Sequence, residues 1–183
     1  MIGLGNQPFF VDNRGGVQAY CVPALNNMVK KAIQPKCCAS GVLFGVVVAK
    51  FHGHISERLL KACLDEFSRH KICDCQVKVV HVPGAFEIPV AALKLASQKN
   101  IRAVICLGAV IRGQTLHYEL VAGECARGAQ EVALKTGKPV IFEVLVADTV
   151  ALCEERAKEG DRNNKGASAA RVAVEMAELF KMI

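Results

Sequence analysis

Four strand-type runs, each followed by a segment of helical periodicity, constrain this chain more than any other feature. The first, Gly41-Val-Leu-Phe-Gly-Val-Val-Val-Ala49, is apolar throughout, as a strand buried on both faces of a parallel sheet must be. Residues 76–82, 103–107 and 139–146 are further runs rich in Val and Ile. Between the first two lies residues 55–70, with Ile55, Leu59, Leu60, Cys63, Leu64 and Phe67 on one helical face and Ser56 as its expected cap. Residues 86–98 predict a second helix, with Pro89 tolerated in its first turn. Residues 116–135 predict a third. Two more helical segments, 149–158 and 165–181, flank the polar stretch Glu159-Gly-Asp-Arg-Asn-Asn164. The crossovers are long enough for parallel pairing. The expected architecture is one α/β domain over residues 41–183, a doubly wound, flavodoxin-like parallel sheet of four strands with helices on both faces. Residues 1–40 contain Gly3, Gly5, Gly15, Gly16, Pro8, Pro23 and Pro35, with Asp12 as their one acid. They predict an irregular N-terminal arm with a short strand or helix near residues 24–33.

Composition narrows the function classes. Hydrophobic residues make up 52% of the 183 and charged residues 22%, which describes a globular chain. No apolar run has the length of a membrane span, and residues 1–10 lack a secretory pattern, so a cytoplasmic location is expected. Nine cysteines without zinc-type spacing read as thiols in a reducing compartment, with no metal site. Cys63, Cys106 and Cys125 fall in apolar segments as small core residues. The net charge of +6 comes from scattered residues, with 5% aromatics and no Trp. It predicts a surface suited to anionic small molecules rather than a nucleic-acid partner.

In such sheets ligands bind beyond the carboxyl ends of the strands. Four loops meet that description: residues 50–54, 83–87, 110–117 and 147–149. The richest stretch is Gly108-Ala-Val-Ile-Arg-Gly-Gln-Thr-Leu-His117, where a strand is expected to end at Leu107 and give way to a glycine-containing loop before a helix. Free N–H groups at a helix start favour an anion, and a histidine there is placed to move protons. Phe51 and Phe86 offer flat surfaces for a planar ring, Glu87 a carboxylate, and Gln114 and Thr115 donors for phosphate. No dinucleotide fingerprint, P-loop or nucleophile elbow accompanies them.

Four segments together resemble the lumazine synthase family of riboflavin biosynthesis. They are Val82-Pro-Gly-Ala-Phe-Glu-Ile-Pro89, Leu107-Gly-Ala-Val-Ile-Arg-Gly-Gln-Thr-Leu-His-Tyr118, Pro139-Val-Ile-Phe142, and Glu155-Arg-Ala157 followed by Asn164-Lys-Gly166. The likeness runs from about Gly41 to the C-terminus. It implies a transferase that condenses a ribitylamino-pyrimidinedione with dihydroxybutanone 4-phosphate, giving dimethyl-ribityl-lumazine, phosphate and water without metal or organic cofactor. Residue by residue, it implies that Phe51 stacks on the pyrimidine. Ala85, Phe86 and Glu87 would hold the ribityl chain and ring edge, with backbone contacts from Ala109, Val110 and Ile111. Gln114, Thr115 and Arg156 would bind phosphate, and His117 would transfer protons. Phe142 and Arg156 would arrive from a neighbouring subunit of a homopentamer, and Lys165 would stand just behind the site.

Three departures from the family pattern stand out: His52 after Phe51, the run Glu143-Val-Leu-Val146 after Phe142, and the length of the stretch from Arg156 to Lys165. A carboxylate at 143 would either crowd the substrate or face solvent. The stretch from Arg156 to Lys165 is longer than in shell-forming members, which favours a free pentamer over a larger assembly. The alternative reading is a shell-forming or flavin-binding relative with little or no catalysis.

Overall fold

The computed structural model describes residues 41 and 43–183, so the expectations for residues 1–40 lie outside the described residues. Four strands form one parallel sheet in the order β2-β1-β3-β4. They are β1 (Leu43–Ala49), β2 (Val77–Val82), β3 (Ile101–Ile111) and β4 (Val140–Ala147). The helices between and after them are α1 (Gly53–Arg69), α2 (Ile88–Ala96), α3 (His117–Thr136), α4 (Val150–Arg156) and α5 (Lys165–Leu179). Short 3-10 turns at Asp74–Gln76 and Ala85–Glu87 precede β2 and α2. The expected doubly wound, flavodoxin-like sheet with helices on both faces is therefore present.

Alternation along the strands divides the core in two. Val46 and Val48 of β1, with Ile105, Leu107 and Ala109 of β3, pack beneath α1, α4 and α5. Val47 and Ala49, with Val104, Cys106 and Val110, pack beneath α2 and α3. Both faces of β1 and β3 are thus covered, which is why those strands carry almost no polar residue. The chain moves outward from β1 to β2, then crosses back to β3. That reversal leaves a crevice between the carboxyl ends of β1 and β3.

Three local expectations need correction. β3 runs to Ile111, four residues past Leu107, so Gly108 lies inside the strand and not in the loop. Gly108 faces α2: a Cβ there would stand 3.2 Å from Ala49 Cβ and 3.5 Å from Ile88 Cδ1. The glycine marks close helix-on-strand packing rather than a turn. Ser56 does not cap α1. The helix begins at Gly53 after His52, which adopts a left-handed conformation (φ 55°, ψ 41°). Ser56 consequently lands on the buried face with Leu59, Leu60 and Cys63, and its Oγ has no hydrogen-bond partner among the described residues. The residues expected to open the second helix, Phe86 and Glu87, form the 3-10 turn instead.

α1 and α5 are joined by a close contact and by an ion cluster. Glu66 of α1 is only 6% exposed. Its carboxylate meets Arg69 at 2.7 Å and Arg171 of α5 at 3.3 Å. Burial pushes the Glu66 carboxyl upward, but the two guanidiniums outweigh it and hold the group below its ordinary value. Asn164, buried at the start of α5, accepts from Gly166 N–H (2.8 Å) and donates through Nδ2 to the Lys158 carbonyl (3.0 Å). At Gly166 the helices touch: an added Cβ would fall 1.9 Å from the Leu59 carbonyl oxygen. Gly166→Ala should lower the urea midpoint at fixed protein concentration by the equivalent of about 2–4 kcal/mol, despite alanine's better helix propensity. An unchanged or higher midpoint would show that the helices separate freely.

Candidate active site

The crevice between β1 and β3 holds a cavity of about 360 Å³. Three chain segments converge on it. After β1 come Phe51 and His52; after β2 comes Gly84-Ala-Phe-Glu87; the end of β3 supplies Ala109, Val110 and Ile111. Gly113 and Thr115 of the following loop, and His117, Tyr118 and Val121 of α3, complete the lining.

Sheet pairing continued beyond the strands sets this arrangement. Lys50 N–H donates to the Val82 carbonyl (2.8 Å) and Phe51 N–H to the Pro83 carbonyl (3.1 Å), which brings Phe51 beside the Gly84–Glu87 segment. On the other side, Arg112 N–H donates to the Ala147 carbonyl (3.0 Å). The Arg112 guanidinium lies 3.4 Å from the Asp148 carboxylate and 5.8 Å from the centre of the Tyr118 ring. Backbone pairing, charge and a cation–π contact therefore anchor the stem of the loop that leads to His117.

Apolar and polar groups are sorted within the cavity. Ala85, Ala109 and Val110 are buried in its floor. Phe51 is 67% exposed and Phe86 59% exposed, so both rings present uncovered apolar surface. The His52 ring meets Phe51 edge-on at 4.6 Å between centroids. Burial, aided by the nearby His54, holds the His52 imidazole below its ordinary value. Glu87 precedes α2 and accepts from Gly84 N–H through Oε2 at 2.9 Å. Thr115 and His117 are exposed at the mouth, and His117 is the first residue of α3, which starts one residue after the expected Leu116. Thr115 and His117 thus sit beside a helix start, where backbone N–H groups lack intrahelical partners.

Most of the sequence-predicted residues meet here: Phe51, Ala85, Phe86, Glu87, Ala109, Val110, Ile111, Thr115 and His117. Gln114 lies on the same loop but outside the lining. Phe142, Arg156 and Lys165 are elsewhere in the chain. Phe142 is half-buried on the α2–α3 face of the edge strand β4. Arg156 is exposed at the end of α4, its Nη1 donating to the Leu152 carbonyl at 3.1 Å. Lys165 is exposed as the first residue of α5. Sequence reasoning named the loops that hold His52, Gly84 and Gly113, but missed Tyr118 and Val121 as lining residues. The Tyr118, Val121 and Cys125 spacing carried the signal, because it marks the sheet-facing stripe of α3.

Glu143 neither enters the cavity nor faces open solvent. It pairs in register with Leu107 on the face opposite Phe142, half-buried and within the field of Lys165. Burial raises its carboxyl above the ordinary value, and Lys165 offsets this only in part. The folded state thus favours the protonated group. Its penalty grows as pH rises through the ordinary value of about 4.3 and is complete above the raised one. Glu143→Gln should raise the melting temperature at pH 7, with the gain shrinking as the pH approaches 4. A lower melting temperature at pH 7 would mean that attraction to Lys165 prevails.

Among models of known protein families, the one described as 6,7-dimethyl-8-ribityllumazine synthase matches residues 41–181, a span that takes in all four strands and the whole lining of the cavity.

Proposed function

Because the chain belongs to the 6,7-dimethyl-8-ribityllumazine synthase family, a family of riboflavin biosynthesis, we propose that it catalyses the lumazine-forming condensation itself. The substrates are 5-amino-6-(ribitylamino)uracil and dihydroxybutanone 4-phosphate; phosphate and water leave. The observation that carries this reading is the convergence of Phe51, Phe86, Glu87, Thr115 and His117 on one cavity at the β1/β3 crevice. Uncovered aromatic rings over an alanine and valine floor suit a planar heterocycle. A threonine hydroxyl beside a helix start suits a phosphate.

In this reading the pyrimidine lies against Phe51 and takes backbone contacts from Ala109, Val110 and Ile111. Ala85, Phe86 and Glu87 hold the ribityl chain and ring edge. Gln114 and Thr115 receive the phosphate. The amine adds to the ketone, water is lost, phosphate departs and the ring closes. Each step moves a proton, and His117 at the cavity mouth is the carrier. Much of the acceleration comes from holding two reactants in register, with proton transfer adding about 10²–10⁴-fold.

Phe142 and Arg156 join the site from a neighbouring copy in a homopentamer, with Lys165 behind them. Their placement supports this: in a single chain they stand outside the cavity, close to the β4 edge or to the α4 that follows it. Exposed Val146, Val150 and Leu152 give the same region apolar surface for a subunit contact.

The direct test is lumazine formation from the two substrates, followed by absorbance. His117→Ala should lower kcat by about 10²-fold or more with little change in KM. Arg156→Ala should instead raise KM for the phosphorylated substrate by about tenfold or more, as expected when a charge-assisted phosphate contact is lost. Tight pyrimidine binding by the unaltered protein without turnover would instead make it the non-catalytic, shell-forming or flavin-binding relative.

A further inference from the structure

The six described cysteines fall into two groups. Cys63, Cys106, Cys125 and Cys153 are buried in the core. Burial raises each of these thiols, carrying Cys125 up to about 11, with the Glu87 charge adding to the rise at Cys125. Such groups are poor nucleophiles near neutral pH. Cys73 and Cys75 differ: Cys73 is half-exposed and Cys75 exposed, in the turn that feeds the edge strand β2.

Their sulfurs stand 3.3 Å apart. Cys73 S–H donates to Gln76 Oε1 at 3.0 Å. Cys73 N–H also donates to Gln76 Oε1, at 3.2 Å, which fixes the turn around the pair. Residues two apart cannot separate their Cα atoms beyond about 7 Å even in an extended chain, and a 3-10 turn draws them closer. That range reaches the spacing a disulfide requires, and the sulfurs need approach by little more than about 1 Å to reach bonding distance.

We propose that Cys73 and Cys75 form a reversible dithiol–disulfide site that exchanges with low-molecular-weight disulfides. The exposed Cys75 thiolate attacks one sulfur of the small disulfide RSSR. Its S–S bond breaks, one RS⁻ leaves and takes up a proton, and Cys75 carries the mixed disulfide. The Cys73 thiolate then attacks Cys75 Sγ, the mixed bond breaks, and the second RS⁻ leaves and is protonated. Two protein thiols are oxidised and one RSSR is reduced to two RSH, the protons passing from the protein thiols to the released ones. A bridge across so short a loop constrains little of the unfolded chain, which places it among the readily reduced, labile disulfides. The site lies at the amino end of β2, away from the cavity beyond the strand's carboxyl end, and does not rest on the proposed catalysis.

The test is to equilibrate the full-length protein in glutathione buffers of graded oxidised-to-reduced ratio, trap free thiols by alkylation, and map tryptic peptides by mass. Cleavage after Lys71 and Lys78 releases both cysteines in residues 72–78, with no other cysteine present. The expected result is loss of two hydrogens from this peptide in oxidising buffers, reversed by dithiothreitol. The four core cysteines should be alkylated only after denaturation. Cys73→Ser and Cys75→Ser should each leave the remaining thiol as a stable glutathione adduct. The proposal is overturned if the unaltered protein accumulates unresolved adducts, if residues 72–78 stay reduced at the most oxidising ratio, or if either cysteine is found linked to Cys21, Cys37 or Cys38.

Discussion

Strand β3, hydrogen-bonded to β1 on one side and β4 on the other, is the element on which the rest of the structure hangs. A strand in that position must be apolar on both faces, and from Ala103 to Val110 every residue is buried. Its continuation to Ile111 forms part of the cavity wall. It also places Arg112 where its N–H still reaches β4 at the Ala147 carbonyl. The loop to His117 therefore leaves from a rigid, hydrogen-bonded base. A site mounted on strand ends in this way holds its geometry better than one carried by loops alone.

Packing on the two faces follows different rules. On the α2–α3 face, Gly108 lets Ile88 settle onto the sheet and so fixes where the Ala85–Glu87 turn meets the cavity. On the α1–α5 face, Gly166 brings helix against helix at the Leu59 carbonyl, and buried Glu66, also paired with Arg69 of its own helix, bridges to Arg171 of α5. Removing either guanidinium would leave a buried carboxylate short of compensation, which is far more costly than losing a surface ion pair. Of the three buried polar side chains among the described residues, Glu66 and Asn164 are satisfied by specific partners, whereas the Ser56 Oγ is not.

The cavity brings together residues separated by up to 70 positions, from Phe51 to Val121, and the family pattern explains why they were recognisable in advance. Pro-Gly-Ala-Phe-Glu and Arg-Gly-Gln-Thr-Leu-His-Tyr are local signals, each carrying its own strand end or helix start. Phe142, Arg156 and Lys165 were legible as family-type residues as well, yet no single-chain geometry brings them to the cavity. Glu143 shows the limit of local reading. Whether a strand residue meets substrate or a helix depends on which face it takes, and that parity is fixed by the register with β3.

Hydrophobic period and length determined the four strands, the five helices and the doubly wound class, because burial on both faces of a parallel sheet leaves so few sequence patterns open. The motifs likewise determined which strand ends line the cavity. Tertiary structure alone decided that Gly108 belongs to a strand, that Ser56 is buried without capping, that His52 turns left-handed before α1, and that Glu143 takes the face opposite Phe142. Each of these depends on how closely one element approaches another. A glycine, serine or carboxylate carries no local record of that distance, since its neighbours in space are remote in sequence.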